Sequence, residues 1–193
     1  MRLWLSLSIA LLAATGCHRS EELKTHGEQK EPAAQTPPAV QRAIARIMPT
    51  EGNEAHGTVR FEQLKNGVRV HVDLTGLTPN AKHGFHIHQY GDCTSKTAES
   101  AGDHYSPSHA RHGMPGVGER HAGDMGNLIA NAKGEAHFEQ VFDVMTVDGT
   151  DNPILGRAVI IHEKSDKGTQ PSGDAGKRIG CGVIGTASGG SAS

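Results

Sequence analysis

Histidine recurs in this chain at intervals that suit metal binding. His86 and His88 fall within Gly84-Phe85-His86-Ile87-His88, followed by His104, His112, His121 and Asp124, and then by His162 in Val159-Ile160-Ile161-His162-Glu163. Neutral imidazole and carboxylate are the usual ligands of copper and zinc. A His-x-His pair inside an apolar run suits a strand, where residues i and i+2 project from one face, so both rings can grip a single ion. Six histidines and a carboxylate from three separated segments are ligands enough for two ions. The other histidines, His18, His26, His56, His71, His83, His109 and His137, read as surface or hydrogen-bonded side chains.

Such scattered ligands have to be gathered by a scaffold, and alternation of apolar and polar residues is its main signal. Strands are expected at residues 43–47, 57–62, 68–74, 85–90, 126–131, 136–142, 156–163 and 182–185. Lys65-Asn66-Gly67 between two alternating runs marks a hairpin. No helical period stands out, although short helical turns inside loops would escape this reading. The expectation is an all-β domain of about eight antiparallel strands, closed as a sandwich or barrel. Two long Gly-rich loops, residues 91–126 and 163–180, interrupt it, and loops of that length in a compact domain are usually functional. The first of them carries His104, His112, His121 and Asp124.

The ends differ from the middle. Arg2 followed by the apolar run 3–14 and by Ala14-Thr15-Gly16-Cys17 reads as an export signal over residues 1–16, too short for a comfortable membrane-spanning helix. The small residues before Cys17 resemble a bacterial lipoprotein cleavage site, with Cys17 as the lipidated first residue. That motif usually has Leu three positions before the Cys, where this chain has Ala14. Ordinary signal cleavage nearby is the alternative. Residues 17–39 read as a polar, Pro-containing tether, residues 40–186 as the folded domain and residues 187–193 as a frayed tail. Removing the signal takes away only Arg2, so the net charge of −2 becomes −3, and no basic patch points to nucleic acid. The single Trp, Trp4, lies in the signal. Of three cysteines, Cys17 has its own explanation, which leaves Cys93 and Cys181 as a candidate disulfide pair in an exported protein.

Taken together, the motifs resemble the copper/zinc superoxide dismutase family, in its bacterial exported form. The resemblance rests on Gly84 to His88, Gly91-Asp92-Cys93, Ala101-Gly102-Asp103-His104-Tyr105, Arg111-His112-Gly113, Arg120-His121-Ala122-Gly123-Asp124-Met125-Gly126-Asn127, Ile161-His162-Glu163-Lys164, and the closing run from Gly173 to Gly185. It implies a Greek-key barrel binding one copper ion and one zinc ion per subunit. It implies copper held by His86, His88, His104 and His162, and zinc held by His104, His112, His121 and Asp124, with His104 shared and also acting in proton supply. It further implies that Asp166 ties a copper ligand to a zinc ligand, and that Arg178 guides and holds the superoxide anion. The length of residues 94–100 and the short second loop resemble bacterial members, so the eukaryotic subunit interface does not carry over, and a homodimer stays open.

The activity so implied is disproportionation of superoxide to dioxygen and hydrogen peroxide. The rivals are a copper/zinc buffer or copper-delivery module without dismutase activity, and a structural envelope lipoprotein that binds zinc alone. No copper ligand and no active-site Arg is missing, which argues for the enzyme. The net negative chain does not attract an anion. The second loop, however, sets Lys164, Lys167, Lys177 and Arg178 against Glu163, Asp166 and Asp174. With Asp166 buried, its rim would be positive and would steer locally. The expected location is the bacterial envelope or periplasm, with membrane contact only through the lipid on Cys17.

Overall fold

The computed structural model describes residues 39–188. The export signal, Cys17 and nearly all of the proposed tether and tail lie outside the described residues. Eight strands follow one another: β1 Arg42–Pro49, β2 His56–Leu64, β3 Gly67–Thr75, β4 Lys82–His88, β5 Asp124–Ile129, β6 Ala136–Phe142, β7 Ala158–His162 and β8 Arg178–Thr186. All pair antiparallel in the order β5-β4-β7-β8-β1-β2-β3-β6. The non-sequential neighbours β1–β8, β3–β6 and β4–β7 are the crossovers of a Greek key. The end strands β5 and β6 come back near each other, so the sheet curls into a nearly closed barrel.

Local chemistry accounts for the pattern. Along β3, Val68, Val70, Val72 and Leu74 are buried while Arg69, His71 and Asp73 face solvent, the period of two that a half-buried strand requires. Leu64 pairs with Gly67 across a Lys65-Asn66 turn. Gly67 has φ +138°, and a Cβ there would collide with the Phe142 carbonyl, so only glycine starts this strand cleanly. Inside the barrel, Phe61, Phe85, Phe142, Ile47, Ile87, Met125, Leu128 and Ile184 are fully or almost fully buried. Each such side chain contributes roughly 1.5–3 kcal/mol through burial.

The metal-ligand candidates lie on the other side of that wall. Phe85 and Ile87 on β4, with Val159 and Ile161 on β7, take the inward positions. His86, His88 and Ile160 therefore point outwards, under the long loop, and the two rings of the His-x-His pair face away from the barrel interior. A second small apolar cluster of Ala98, Ala101, Ala158, Ile160 and Cys181 forms between that loop and the wall. As a result β7 is buried on both faces, unlike β3.

Most strand ends differ from the sequence expectation by one to four residues, and two of these differences bear on the site. β8 starts at Arg178 rather than at 182, which places Arg178 on a strand. Its glycines mark close approach rather than a loop: a Cβ on Gly180 would press on Ile47, and one on Gly182 on the Arg46 carbonyl. β5 starts two residues early, at Asp124, and the first loop contains a 3-10 turn at Glu99–Ala101.

Cys93 and Cys181 are joined in a disulfide with 88 positions between them, so the start of the first loop is fixed to β8. Closing a loop of that length lowers unfolded-chain entropy by about 4–5 kcal/mol. Replacing both cysteines by Ser is expected to lower Tm by roughly 10 °C in a thermal melt. An unchanged Tm would contradict this account of the cross-link.

Candidate metal centre

Each imidazole is positioned by a different device. His86 and His88 stand on β4, and His162 ends β7 opposite Arg178, where the register slips. His104 comes from the long loop, which runs back along the end of β4. Gln89 N–H donates to Asp103 O and Tyr105 N–H to Ile87 O, both at 2.9 Å, and His88 and His104 form an isolated bridge. Ile87 N–H in turn donates to Gly123 O at 2.9 Å, which brings the segment leading into β5 alongside. A Cβ on Gly123 would collide with the Ile87 carbonyl, so this approach needs glycine.

Two groups result. His86, His88, His104 and His162 offer one nitrogen each, all within 4.8 Å of one another, and His104, His112, His121 and Asp124 do the same. His104 belongs to both. Its ring lies 4.0 Å from that of His86 and 5.5 Å from that of His121, centroid to centroid.

The hydrogen bonds decide which nitrogen each ring presents. His86 Nε2–H donates to Asp166 Oδ2 at 2.8 Å, which leaves Nδ1 free. His88 Nδ1–H donates to Gly102 O at 2.8 Å and His162 Nδ1–H to Gly176 O at 3.2 Å, and both leave Nε2 free. His104 turns Nδ1 towards Asp124 Oδ1 at 2.9 Å, and its Nε2 is also free. These four free nitrogens belong to the four residues whose ligand atoms gather within 4.8 Å. Buried nitrogens without partners are costly, roughly 1–3 kcal/mol each, unless a ligand satisfies them.

The second group centres on Asp124, which is completely buried. His104 Nδ1 and His121 Nδ1 lie 2.9 and 3.1 Å from its Oδ1. His112 Nδ1 lies 3.0 Å from Oδ2 but makes no well-aligned hydrogen bond there, an arrangement natural to two ligands of one ion. The N–H groups of Gly113 and His121 also reach Oδ2, at 2.9 and 3.1 Å. Three imidazoles and a carboxylate make the closed tetrahedral set of a structural zinc site. Four imidazoles with no carboxylate suit copper.

Electrostatics separates the groups. Burial pushes the pKa values of His86 and His162 down to about 4 and about 3 and holds that of His88 well below its ordinary value, so these rings are neutral and able to act as ligands at neutral pH. At His112 burial acts in the same direction, but Asp124 and Asp166 on either side outweigh it and raise the value to about 9 in the metal-free protein. Burial would raise Asp124 and Asp166, and the imidazoles hydrogen-bonded to them instead hold both carboxyls well below the usual range.

Asp166 joins the two groups. Its Oδ1 lies 3.0 Å from His112 Nε2, while its Oδ2 takes His86. Asn127 holds Asp166 from both sides of the backbone, with Asp166 N–H donating to Asn127 Oδ1 at 2.7 Å and Asn127 Nδ2 donating to Asp166 O at 2.9 Å. Sequence reasoning gave Asn127 no role. It also left His83 among the ordinary histidines, and this buried ring donates Nδ1–H to His162 O at 2.8 Å. Nothing in the structure explains its unpartnered Nε2.

Arg178 is partly buried beside the first group. Its Nη1 and Nη2 donate to Ala98 O and Gly102 O, each at 2.7 Å. The Gly102 carbonyl therefore serves both Arg178 and His88. Burial lowers the Arg178 pKa from its usual value, yet a guanidinium stays charged in proteins. All the side chains singled out from the sequence for the centre, from His86 to Arg178, thus meet in one region, whereas His56, His71, His109 and His137 do not take part.

Comparison with known proteins agrees with this arrangement. Residues 55–184 match the family model described as copper/zinc superoxide dismutase. A superoxide dismutase [Cu-Zn] of Paramecium bursaria Chlorella virus 1 is 41% identical over 155 residues, 77% of this chain and 81% of that protein. An extracellular superoxide dismutase [Cu-Zn] of Brugia pahangi is 35% identical over 192 residues, 94% of each chain. A crystal structure of the clock protein EA4 superposes with a TM-score of 0.70 at 36% identity, covering 77% of this chain and 96% of that one. The chain belongs to the copper/zinc superoxide dismutase family.

Proposed function

We propose that this chain disproportionates superoxide, two superoxide anions and two protons giving dioxygen and hydrogen peroxide, with copper at His86, His88, His104 and His162 and zinc at His104, His112, His121 and Asp124. The observation that carries the assignment is the set of four buried imidazole nitrogens that face one another without partners. When bound, copper supplies one-electron chemistry by changing oxidation state, and zinc, which cannot, supplies structure and charge. The protein does the rest. Arg178, fixed by two loop carbonyls, presents a permanent positive charge beside the copper group and binds the anion there. His104 keeps its Nδ1 on the zinc side, so Nε2 is the atom at which a proton can be held and passed on. Asp166, acting through its bonds to His86 and His112, keeps those rings in one tautomer and orientation.

Asp166 is 3% exposed and adds no negative charge to the surface, where Lys164, Lys177, Glu163 and Asp174 are exposed and Arg178 is half-buried, and Asp174 is itself engaged by Lys167 at 2.7 Å. The rim of the second loop is therefore positive and draws in a small anion despite the negative chain.

The reading extends to location. Residues 1–16 serve as an export signal, residues 17–39 as a tether to a lipidated Cys17, and the bacterial envelope as the site of action. This is supported by the apolar run before Cys17, by the disulfide, which forms in oxidising compartments, and by the extracellular relative. Mass spectrometry of the mature protein should show a diacylglyceryl Cys17 at its N-terminus; an unmodified terminus elsewhere would contradict the anchor.

Two variants test the chemistry. His88→Ala is expected to abolish dismutase activity and copper retention while zinc, measured by elemental analysis, stays near one per chain. A fully metal-loaded but inactive native protein would overturn the proposal. Arg178→Ala should lower the rate constant by roughly tenfold or more and flatten its decline with ionic strength. A native rate that is independent of salt would contradict the steering role.

A further inference from the structure

Within the second group, His112 is the member without a place in the sheet. Asp124 begins β5, and His121 is joined to it by a turn in which Asp124 N–H donates to His121 O at 3.2 Å. His104 is laid against the end of β4 by its bridge to His88. His112 stands in the middle of the first loop, and among the described residues no hydrogen bond joins its backbone to another stretch of backbone. Its N–H and C=O are taken instead by one side chain, 58 positions away. His112 N–H donates to Gln170 Oε1 at 3.1 Å, and Gln170 Nε2 donates to His112 O at 2.7 Å. The side-chain amide thus copies the exchange of two bonds that a neighbouring antiparallel strand would supply. Glutamine can do this because it carries a donor and an acceptor side by side, whereas a carboxylate cannot donate and an ammonium cannot accept.

The turn that carries Gln170 is itself braced. Gly168 N–H donates to Asp166 Oδ1 and Gly173 N–H to Thr169 O, each at 2.7 Å, and Lys167 N–H donates to Gly173 O at 2.8 Å. A Cβ on Gly173 would collide with the Asp166 carboxylate and press on the His112 ring, so the turn closes directly over this side chain. Asp166 and Gln170 therefore hold His112 from the same turn, one at the outer ring nitrogen and the other at the main chain. The Asp166 contact sets how the ring is turned. It does not fix where the backbone stands, and a backbone free to drift would carry Nδ1 away from Asp124.

We propose that Gln170 is a positioning residue for the zinc ligand His112, and that its two hydrogen bonds govern how long the second group retains its ion. The inference rests on the reading of that group as the zinc site. Both hydrogen bonds of Gln170 go to His112, which belongs to the second group alone. Asp166, in contrast, bonds a ring of each group. Changing Gln170 therefore loosens the zinc side without removing any bond from the copper side.

The test uses the copper- and zinc-loaded protein and follows transfer of zinc to a chromogenic chelator. Gln170→Ala and Gln170→Met should each release zinc about tenfold faster than the native chain, the second because Met keeps the length of the side chain but neither bond. Thr169→Ala, at an exposed neighbour in the same turn, should release zinc at the native rate. Copper should stay near one per chain in all four proteins. With Co(II) in place of zinc, the visible absorption of both Gln170 variants should shift, because it reports the ligand geometry of that ion. A native release rate in Gln170→Met would mean that the side chain only fills space, and it overturns the proposal. Equal rates in the native chain and both Gln170 variants do the same, and leave the zinc reading intact. A native chain that takes up no zinc would overturn that reading, and this inference with it.

Discussion

Every ring of the proposed copper group is tied at its outer nitrogen and bare at its inner one. Asp166, Gly102, Asp124 and Gly176 take the outer atoms of His86, His88, His104 and His162. The inner atoms have no hydrogen-bond partner in the protein, and the four residues' ligand atoms gather within 4.8 Å of one another. In the metal-free protein each bare nitrogen costs roughly 1–3 kcal/mol, so four of them weigh against a typical net stability of about 5–15 kcal/mol. A chain that keeps such a cluster buried relies on an ion to complete it, and metal binding is then also folding energy.

The scaffold supplies that constraint from outside the barrel. Apolar positions on β4 and β7 turn Phe85, Ile87, Val159 and Ile161 into the core, which sends the intervening residues out under the loop. The loop is held at three kinds of point: the Cys93–Cys181 disulfide, the small apolar cluster beneath it, and the two carbonyls bonded by Arg178. The bonds that fix Arg178 also fix Gly102, and Gly102 orients His88. The Arg proposed to bind the anion and a ring proposed to bind copper thus share one piece of backbone. On the far side, Asn127 clamps Asp166, and Asp166 couples the copper group to the zinc group through His86 and His112.

Much of this was legible in the amino-acid sequence because strand period and ligand type are local properties. His86 and His88 announce one face of a strand, and Lys65-Asn66-Gly67 announces a hairpin. Other features depend on distant contacts. β8 begins four residues earlier than its alternation suggests because Gly180 and Gly182 are there to let β1 approach, a reason visible only with β1 in place. Asn127 reads as an ordinary strand-edge residue until Asp166, 39 positions away, lies against it. The bare nitrogen of each ring cannot be read from spacing, because acceptors as far as 80 positions away determine it.

The most direct test of the account is anomalous X-ray diffraction from crystals of the copper- and zinc-loaded protein, collected at both absorption edges. The account places the copper peak among His86 Nδ1, His88 Nε2, His104 Nε2 and His162 Nε2, and the zinc peak among Asp124 and the Nδ1 atoms of His104, His112 and His121. A copper peak in the carboxylate group, or a ring turned to present its other nitrogen, would contradict it.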